Sequence, residues 1–194
     1  MKRMKVCSMQ VKTVLSLLTF SIVLNMGINA QNELKKQEVE TIGEFQNLFH
    51  YQQYYIAGQP SLDALKWLRS QGVSKVINLR SETENEDFKA SSFDEHAVVE
   101  ELGMEYHSIP VSGREGYSPK NLAKMGELID DDEKVLIHCA GAGRATSFLM
   151  GFLVQFRDYT LDEAVDAGQE MTFFFPLEAL LDTEITMKTK PDIK

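Results

Sequence analysis

The feature that most constrains this chain is a junction near residue 139. Lys134–His138 (KVLIH) is a short apolar run suited to a buried strand. It enters the glycine loop His138-Cys139-Ala140-Gly141-Ala142-Gly143-Arg144, and Arg144–Phe156 then reads as a helix that is apolar on nearly every face. A helix without a polar face has to be buried. The strand that feeds it therefore belongs inside a sheet covered by other elements.

The neighbouring segments fit such a sheet. Residues 54–57 (YYIA) have strand character and stop at Gly58-Gln59-Pro60. Ser61 is an N-cap, Leu62, Leu65 and Leu68 follow at helical spacing, and Gly72 ends that helix. Residues 75–79 (KVINL) are a second run suited to a buried strand and residues 104–111 (MEYHSIPV) are the next strand, with a helix over 94–102 between them. Ser118-Pro119 opens a helix that runs to about Asp130. Thr160 caps a further helix, and a last one covers 177–181. Residues 81–92, with Glu82, Glu84, Glu86 and Asp87, read as a solvated acidic loop. Strands alternating with helices predict an α/β fold: a mostly parallel central sheet flanked by helices on both faces. The predicted domain covers residues 54–184. A polar lead-in with one short helix precedes it (31–53), and a polar tail follows (185–194).

Residues 1–30 stand apart. Lys2, Arg3, Lys5 and Lys12 are basic, residues 14–28 are mostly apolar, and Ala30 precedes a polar stretch, which is the pattern of a secretory signal peptide. The apolar run is shorter than the ~20 residues a membrane-spanning helix needs. The expectation is an exported, periplasmic protein without a stable membrane span in the mature chain. Removing residues 1–30 would also remove Cys7, leaving Cys139 as a lone thiol with no intramolecular disulfide partner. The charge balance, 20 Lys and Arg against 29 Asp and Glu, disfavours a nucleic-acid partner.

In open α/β sheets ligands bind beyond the carboxyl ends of the strands, which puts the chemistry in the loop after His138. Its glycines let the backbone curl, so the N–H groups of Ala140, Gly141, Ala142 and Gly143, with the helix N-terminus behind them, form an anion cradle. Cys139 starts that cradle, and the same positive potential favours its thiolate. Arg144 closes it and grips two oxygens of an oxyanion with its planar fork. A thiolate, inward amides and an arginine together suit attack on a phosphoryl group. Cysteine in a plain strand-to-helix turn is the blander alternative.

The segment VLIHCAGAGRATS resembles the signature of cysteine-dependent tyrosine and dual-specificity phosphatases, in which five residues separate Cys from Arg. Here Cys139 and Arg144 enclose four. The chain is more similar to the bacterial phosphatase-like group named after a domain found with β-lactamase-like hydrolases. That group carries a GQP motif, an INLR strand, an IPV strand and a four-residue loop. This chain has Gly58-Gln59-Pro60, Ile77-Asn78-Leu79-Arg80 and Ile109-Pro110-Val111 in that order.

The resemblance implies a phosphatase of phosphate monoesters, including phosphotyrosine or phosphoprotein, with Cys139 as nucleophile and Arg144 as clamp. The partner is a phosphorylated small molecule or a phosphoprotein, and no metal or organic cofactor is called for. His138 would fix the loop by hydrogen bonding, and Thr146 would assist breakdown of the phosphoenzyme although Ala145 occupies the usual place. Glu115, the carboxylate of the loop after the IPV strand, would protonate the leaving oxygen. Arg80 either lines the pocket or serves as a structural partner. The four-residue loop also resembles that of rhodanese-type sulfurtransferases, which leaves a persulfide carrier as an alternative. A non-catalytic anion-binding protein is the third. His50, His96 and His107 have no metal-ligand spacing. Phe173, Phe174 and Phe175 before Pro176 read as packing.

Overall fold

The computed structural model describes residues 38–172 and 177–185. Residues 1–37, where the expected export signal and the start of the lead-in fall, Phe173–Phe175 and the tail from Thr186 lie outside the described residues.

Six strands form one sheet in the order β1-β2-β3-β6-β4-β5. They are β1 (Glu40–Thr41), β2 (Leu48–Tyr51), β3 (Tyr54–Ala57), β4 (Lys75–Asn78), β5 (Glu105–Ser108) and β6 (Val135–His138). The pairs β3–β6, β6–β4 and β4–β5 are parallel, and β1–β2 and β2–β3 are antiparallel. The strand that leads into the cysteine loop, β6, is thus interior, as its uninterrupted apolar run required. The helices are α1 (Leu62–Ser70), α2 (Glu82–Ser91), α3 (Glu95–Glu101), α4 (Pro119–Leu128), α5 (Gly143–Phe156), α6 (Leu161–Met171) and α7 (Glu178–Leu181).

Alternating side chains feed two cores, one on each face of the sheet. Ile56, Ile77, Val135 and Ile137 point to the larger core, with Leu122 and Met125 of α4 and Phe148 and Phe152 of α5. Tyr55, Val76 and Leu136 point to the other, with Leu65 and Leu68 of α1 and Val99 of α3. Helices therefore cover both faces, and the α/β fold with a mostly parallel sheet is as expected. The helix α5 is buried from Ala145 through Leu153.

Two expectations are corrected. The acidic stretch 81–92 is the helix α2, not a loop. Ser81 caps it, its hydroxyl accepting from the Glu84 N–H while the Glu84 carboxylate accepts from the Ser81 N–H. This helix has no buried residue, so no apolar period betrays it; the capping box does. The sheet also begins before Tyr54. Residues 40–41 and 48–51 of the lead-in are strands rather than a short helix, and β2 pairs with β3 from Leu48↔Ala57 to Tyr51↔Tyr54. The turn between β2 and β3 places Gln52 at φ 57. It lacks the Asn-Gly or Gly-Gly pair that marks a tight hairpin in a sequence.

Register brings the functional loops together. Ala57, His138, Asn78 and Ser108 form one row across β3, β6, β4 and β5. The segments that follow them, Gly58-Gln59, Cys139-Ala140, Leu79-Arg80 and Ile109-Pro110-Val111, leave the sheet side by side.

Candidate active site

Cys139 is the first residue beyond β6, and its side chain is buried. Its N–H donates to the Ala57 carbonyl (3.2 Å), and the Gln59 N–H donates to the Ala140 carbonyl (3.1 Å). Gly58 and Gly141 lie across an isolated bridge. A Cβ on Gly58 would sit 3.1 Å from the Ala140 oxygen, so the GQP glycine permits the close approach of its own loop to the cysteine loop. The tight turn falls elsewhere than the glycines suggest. Ala142, not Gly141 or Gly143, takes the left-handed conformation (φ 71), and it is the residue that starts α5. An alanine there carries strain that a glycine avoids.

Arg144, in the first turn of α5, is held on three sides. Its Nη1 donates to Glu84 Oε2 (2.7 Å) and to the Val111 carbonyl (2.9 Å), and its Nη2 donates to Glu84 Oε1 (2.6 Å). The fork holds the Glu84 carboxyl down at about 2, against the opposing effect of burial. Burial works against the charge on Arg144 as well, but Glu84 and the neighbouring Cys139 sulfur raise it on balance. The sequence pattern treated Glu84 as a solvated acid. The signal it carried was its place in the Ser81-x-x-Glu84 capping box, which points to a helix and not to an arginine 60 positions later.

Behind the loop lies a buried polar network assembled from the other motifs. Asn78 Nδ2 lies 3.1 Å from Glu95 Oε2 and 2.7 Å from the Tyr106 hydroxyl, and Gln59 Nε2 donates to Glu95 Oε1 (3.1 Å). Arg80 donates from its backbone to Asn78 Oδ1 (2.8 Å) and from its guanidinium to Gln59 Oε1 and to the Glu84 carbonyl. Arg80 was expected to line the pocket or to serve as a structural ion-pair partner; it is buried, is not among the described residues that line the cleft, bonds neutral oxygens instead of a carboxylate and stacks over Phe88 at 5.0 Å. His138 is fully buried. The Glu95 Oε1 lies 3.3 Å from its Nε2 without hydrogen-bond geometry. Burial keeps His138 below the ordinary histidine range, with Glu95 opposing. Thr146 is also buried, and its hydroxyl has no hydrogen-bond partner among the described residues.

In front of Arg144 opens a cleft of about 930 Å³. Its described walls include Glu84, Val111, Arg114 and Tyr117, and Glu178 from α7. Burial pushes the Tyr117 hydroxyl up to about 12, keeping it neutral. Glu115 is exposed on its loop and is not among the described residues that line the cleft. Among the described residues, no group of three or more His, Cys, Asp or Glu side chains could hold a metal ion. The arrangement combines a buried sulfur four residues before a long buried helix, a guanidinium fixed in the first turn of that helix and a cleft much larger than one tetrahedral oxyanion.

A family model described as DSP-PTPase phosphatase fused to NAD+ kinase matches residues 30–176. A β-lactamase hydrolase-like protein of Agrobacterium fabrum is 31% identical over 111 residues, 57% of this chain. The matched part spans 23% of that protein's length. Among solved structures, a DUF442 protein of Shewanella putrefaciens CN-32 superposes with a TM-score of 0.55 at 24% identity, covering 71% of this chain and 89% of its own. TpbA of P. aeruginosa, solved in complex with pTyr, superposes with a TM-score of 0.57 at 12% identity, covering 71% and 82%. At these identities the two structures share the fold with this chain.

Proposed function

This chain belongs to the family described as DSP-PTPase phosphatase fused to NAD+ kinase, and we propose that it hydrolyses phosphate monoesters through a cysteinyl-phosphate. Its family is of the tyrosine and dual-specificity phosphatase type. In the proposed reaction the Cys139 thiolate attacks phosphorus and the bond to the ester oxygen breaks. The leaving oxygen takes a proton, and water then cleaves the S–P bond to release inorganic phosphate. Arg144 and the loop amides stabilise the charge that builds on the equatorial oxygens. The observation that carries the reading is the position of Cys139: buried directly beyond an interior strand, four residues before α5, whose first turn carries an Arg144 fixed by Glu84 and the Val111 carbonyl.

Glu84 cannot supply the proton, since Arg144 keeps it ionised down to about 2. Glu178 lines the cleft, whereas Glu115, the carboxylate expected for that task, is exposed and outside the described lining. Aryl phosphates, whose leaving groups need the least protonation, are therefore the substrates to try first. The basic and apolar start of the chain supports export to a periplasm, so the thiol has to be kept reduced in the assay.

The test is hydrolysis of 4-nitrophenyl phosphate by wild type and Cys139→Ser in reductant and a metal chelator. Turnover that persists with chelator and falls at least about a thousandfold in the variant is the expected result. Equal rates in the two proteins, or no turnover in either, would overturn the reading. Sulfur transfer from thiosulfate to cyanide in the same preparations would then put the four-residue loop on the side of the persulfide carrier.

A further inference from the structure

The cleft in front of Arg144 holds a second guanidinium that the proposed reaction does not use. Arg114 lines it and is exposed. The other described arginines are committed: Arg69, Arg80, Arg144 and Arg157 each donate at least one hydrogen bond. Arg114 has no hydrogen bond, ion pair or ring contact among the described residues. That is unexpected in a chain with 29 acids against 20 bases, where an exposed arginine readily meets a carboxylate. Even Glu178, which lines the same cleft, makes no ion pair with it.

The backbone under this free side chain is tied down. The Arg114 carbonyl accepts from the Tyr117 N–H (3.1 Å), and the Gly116 N–H donates to the Ser112 carbonyl (3.2 Å). Asn121 Nδ2 of α4 donates to the Gly116 carbonyl (3.0 Å). Val111, whose carbonyl accepts from Arg144 Nη1 (2.9 Å), lies three residues earlier. Its Cα is therefore at most about 11 Å from that of Arg114, and one ligand can reach both arginines. Arg144 is already balanced by Glu84 through contacts of 2.6 and 2.7 Å. The uncompensated cation of the cleft is Arg114.

We propose that Arg114 is a specificity residue: it receives a second anionic group of the substrate, a carboxylate or a further phosphate carried close to the ester phosphate. The substrate class is a phosphate monoester with an extra negative charge, supplied by a small anionic aryl phosphate or by an acidic phosphopeptide. The proposal rests on the phosphatase reading for turnover but not for binding. An unpaired guanidinium on fixed backbone meets such a group without first releasing a partner, and its planar fork suits two oxygens.

The test compares substrates that share a leaving group. The phosphate esters of 4-hydroxyphenylacetate and of its neutral amide form the small pair, since the methylene insulates the ester oxygen from the charge. Phosphotyrosine peptides with Glu or Gln on both sides of the tyrosine form the peptide pair. The readout is the ratio of kcat/KM for acid over amide in wild type, Arg114→Gln and Arg114→Lys, so a general loss of activity in a variant divides out. Wild type should favour the acid by about 3- to 10-fold in at least one pair, and the pair that shows it identifies the source. Added salt should shrink that ratio. Arg114→Gln should bring it to one or below, and Arg114→Lys should keep part of it.

A wild-type ratio at or below one in both pairs would overturn the proposal and leave the phosphatase reading standing, as would a ratio that survives Arg114→Gln. If wild type hydrolyses none of these esters, nor 4-nitrophenyl phosphate, the phosphatase reading falls and titration calorimetry with the same pairs decides the subsite. Tighter binding of the acid that Arg114→Gln abolishes would keep it; equal binding of acid and amide, or none, would remove it.

Discussion

Glu95 shows how a single buried charge can organise a site it does not enter. The residue is 5% exposed, and its carboxylate accepts from Gln59 and lies 3.1 Å from Asn78 Nδ2 and 3.3 Å from His138 Nε2. Those residues belong to the GQP segment, the INLR strand and the strand before Cys139. Removing it would take from Gln59 Nε2 its 3.1 Å acceptor, while Asn78 Nδ2 keeps Asn85 Oδ1 (2.9 Å) and the Tyr106 hydroxyl (2.7 Å), and such a loss costs about 1 to 3 kcal/mol. Glu95→Ala is therefore expected to lower the midpoint of urea unfolding by that amount, and Glu95→Gln by less. A loss below about 0.5 kcal/mol for the alanine variant would show that water replaces the carboxylate. Cys139 and Arg144 could be named from the sequence because strand, loop and helix lie within one short stretch. Glu84 and Glu95 could not, because what defines them is a partner 60 or 43 positions away, and a local pattern carries no such pairing.

Elements were legible where a long apolar run or period marks them. The runs in β4 and β6 and the apolar α5 announced the interior of the sheet, whereas α2, which buries nothing, did not, and neither did β2, whose four residues bury Leu48, Phe49 and Tyr51 but are too few to set a period. The connection from β5 to α4 shows a further limit, since its composition says only that it is a loop. The structure makes Gly116 its critical position. A Cβ there would lie 2.7 Å from the Ser112 nitrogen and 2.8 Å from Val111 Cα, both backbone atoms. The Val111 carbonyl is one of the three acceptors that fix Arg144. Gly116→Ala must therefore shift this backbone, at a cost of about 1 to 3 kcal/mol, and kcat/KM for the aryl ester should fall along with stability. Gly113 is the control within the same connection: nothing lies within 4 Å of its Cβ position, although its φ of 56 makes alanine mildly unfavourable. If Gly113→Ala cost as much activity as Gly116→Ala, the loss would belong to loop conformation in general and not to the Val111 contact.

Across the whole molecule the site is also where the fold is sensitive to acid. His138 is held neutral by burial, below its unfolded value near 6.5. The unfolded chain therefore binds more protons there, and stability rises with pH. That contribution is complete above about 6.5 and is lost as pH falls through the lower folded value. Glu84, at about 2 in the fold against 4.5 ordinarily, behaves in the same sense in a second window. Its contribution is complete above about 4.5 and is lost as pH falls toward about 2. A chain with net charge −9 has an opposing tendency, because protonation relieves its self-repulsion. Comparison with variants cancels that term. Urea midpoints measured from pH 8 down to pH 3 should fall less steeply for His138→Gln than for wild type once pH drops below about 6.5, and less steeply for Glu84→Gln below about 4.5. Parallel curves in the upper window would mean that His138 is protonated in the fold, paired with Glu95 as an ion pair. The contact of 3.3 Å between them would then be a salt bridge and not a neutral ring beside a carboxylate.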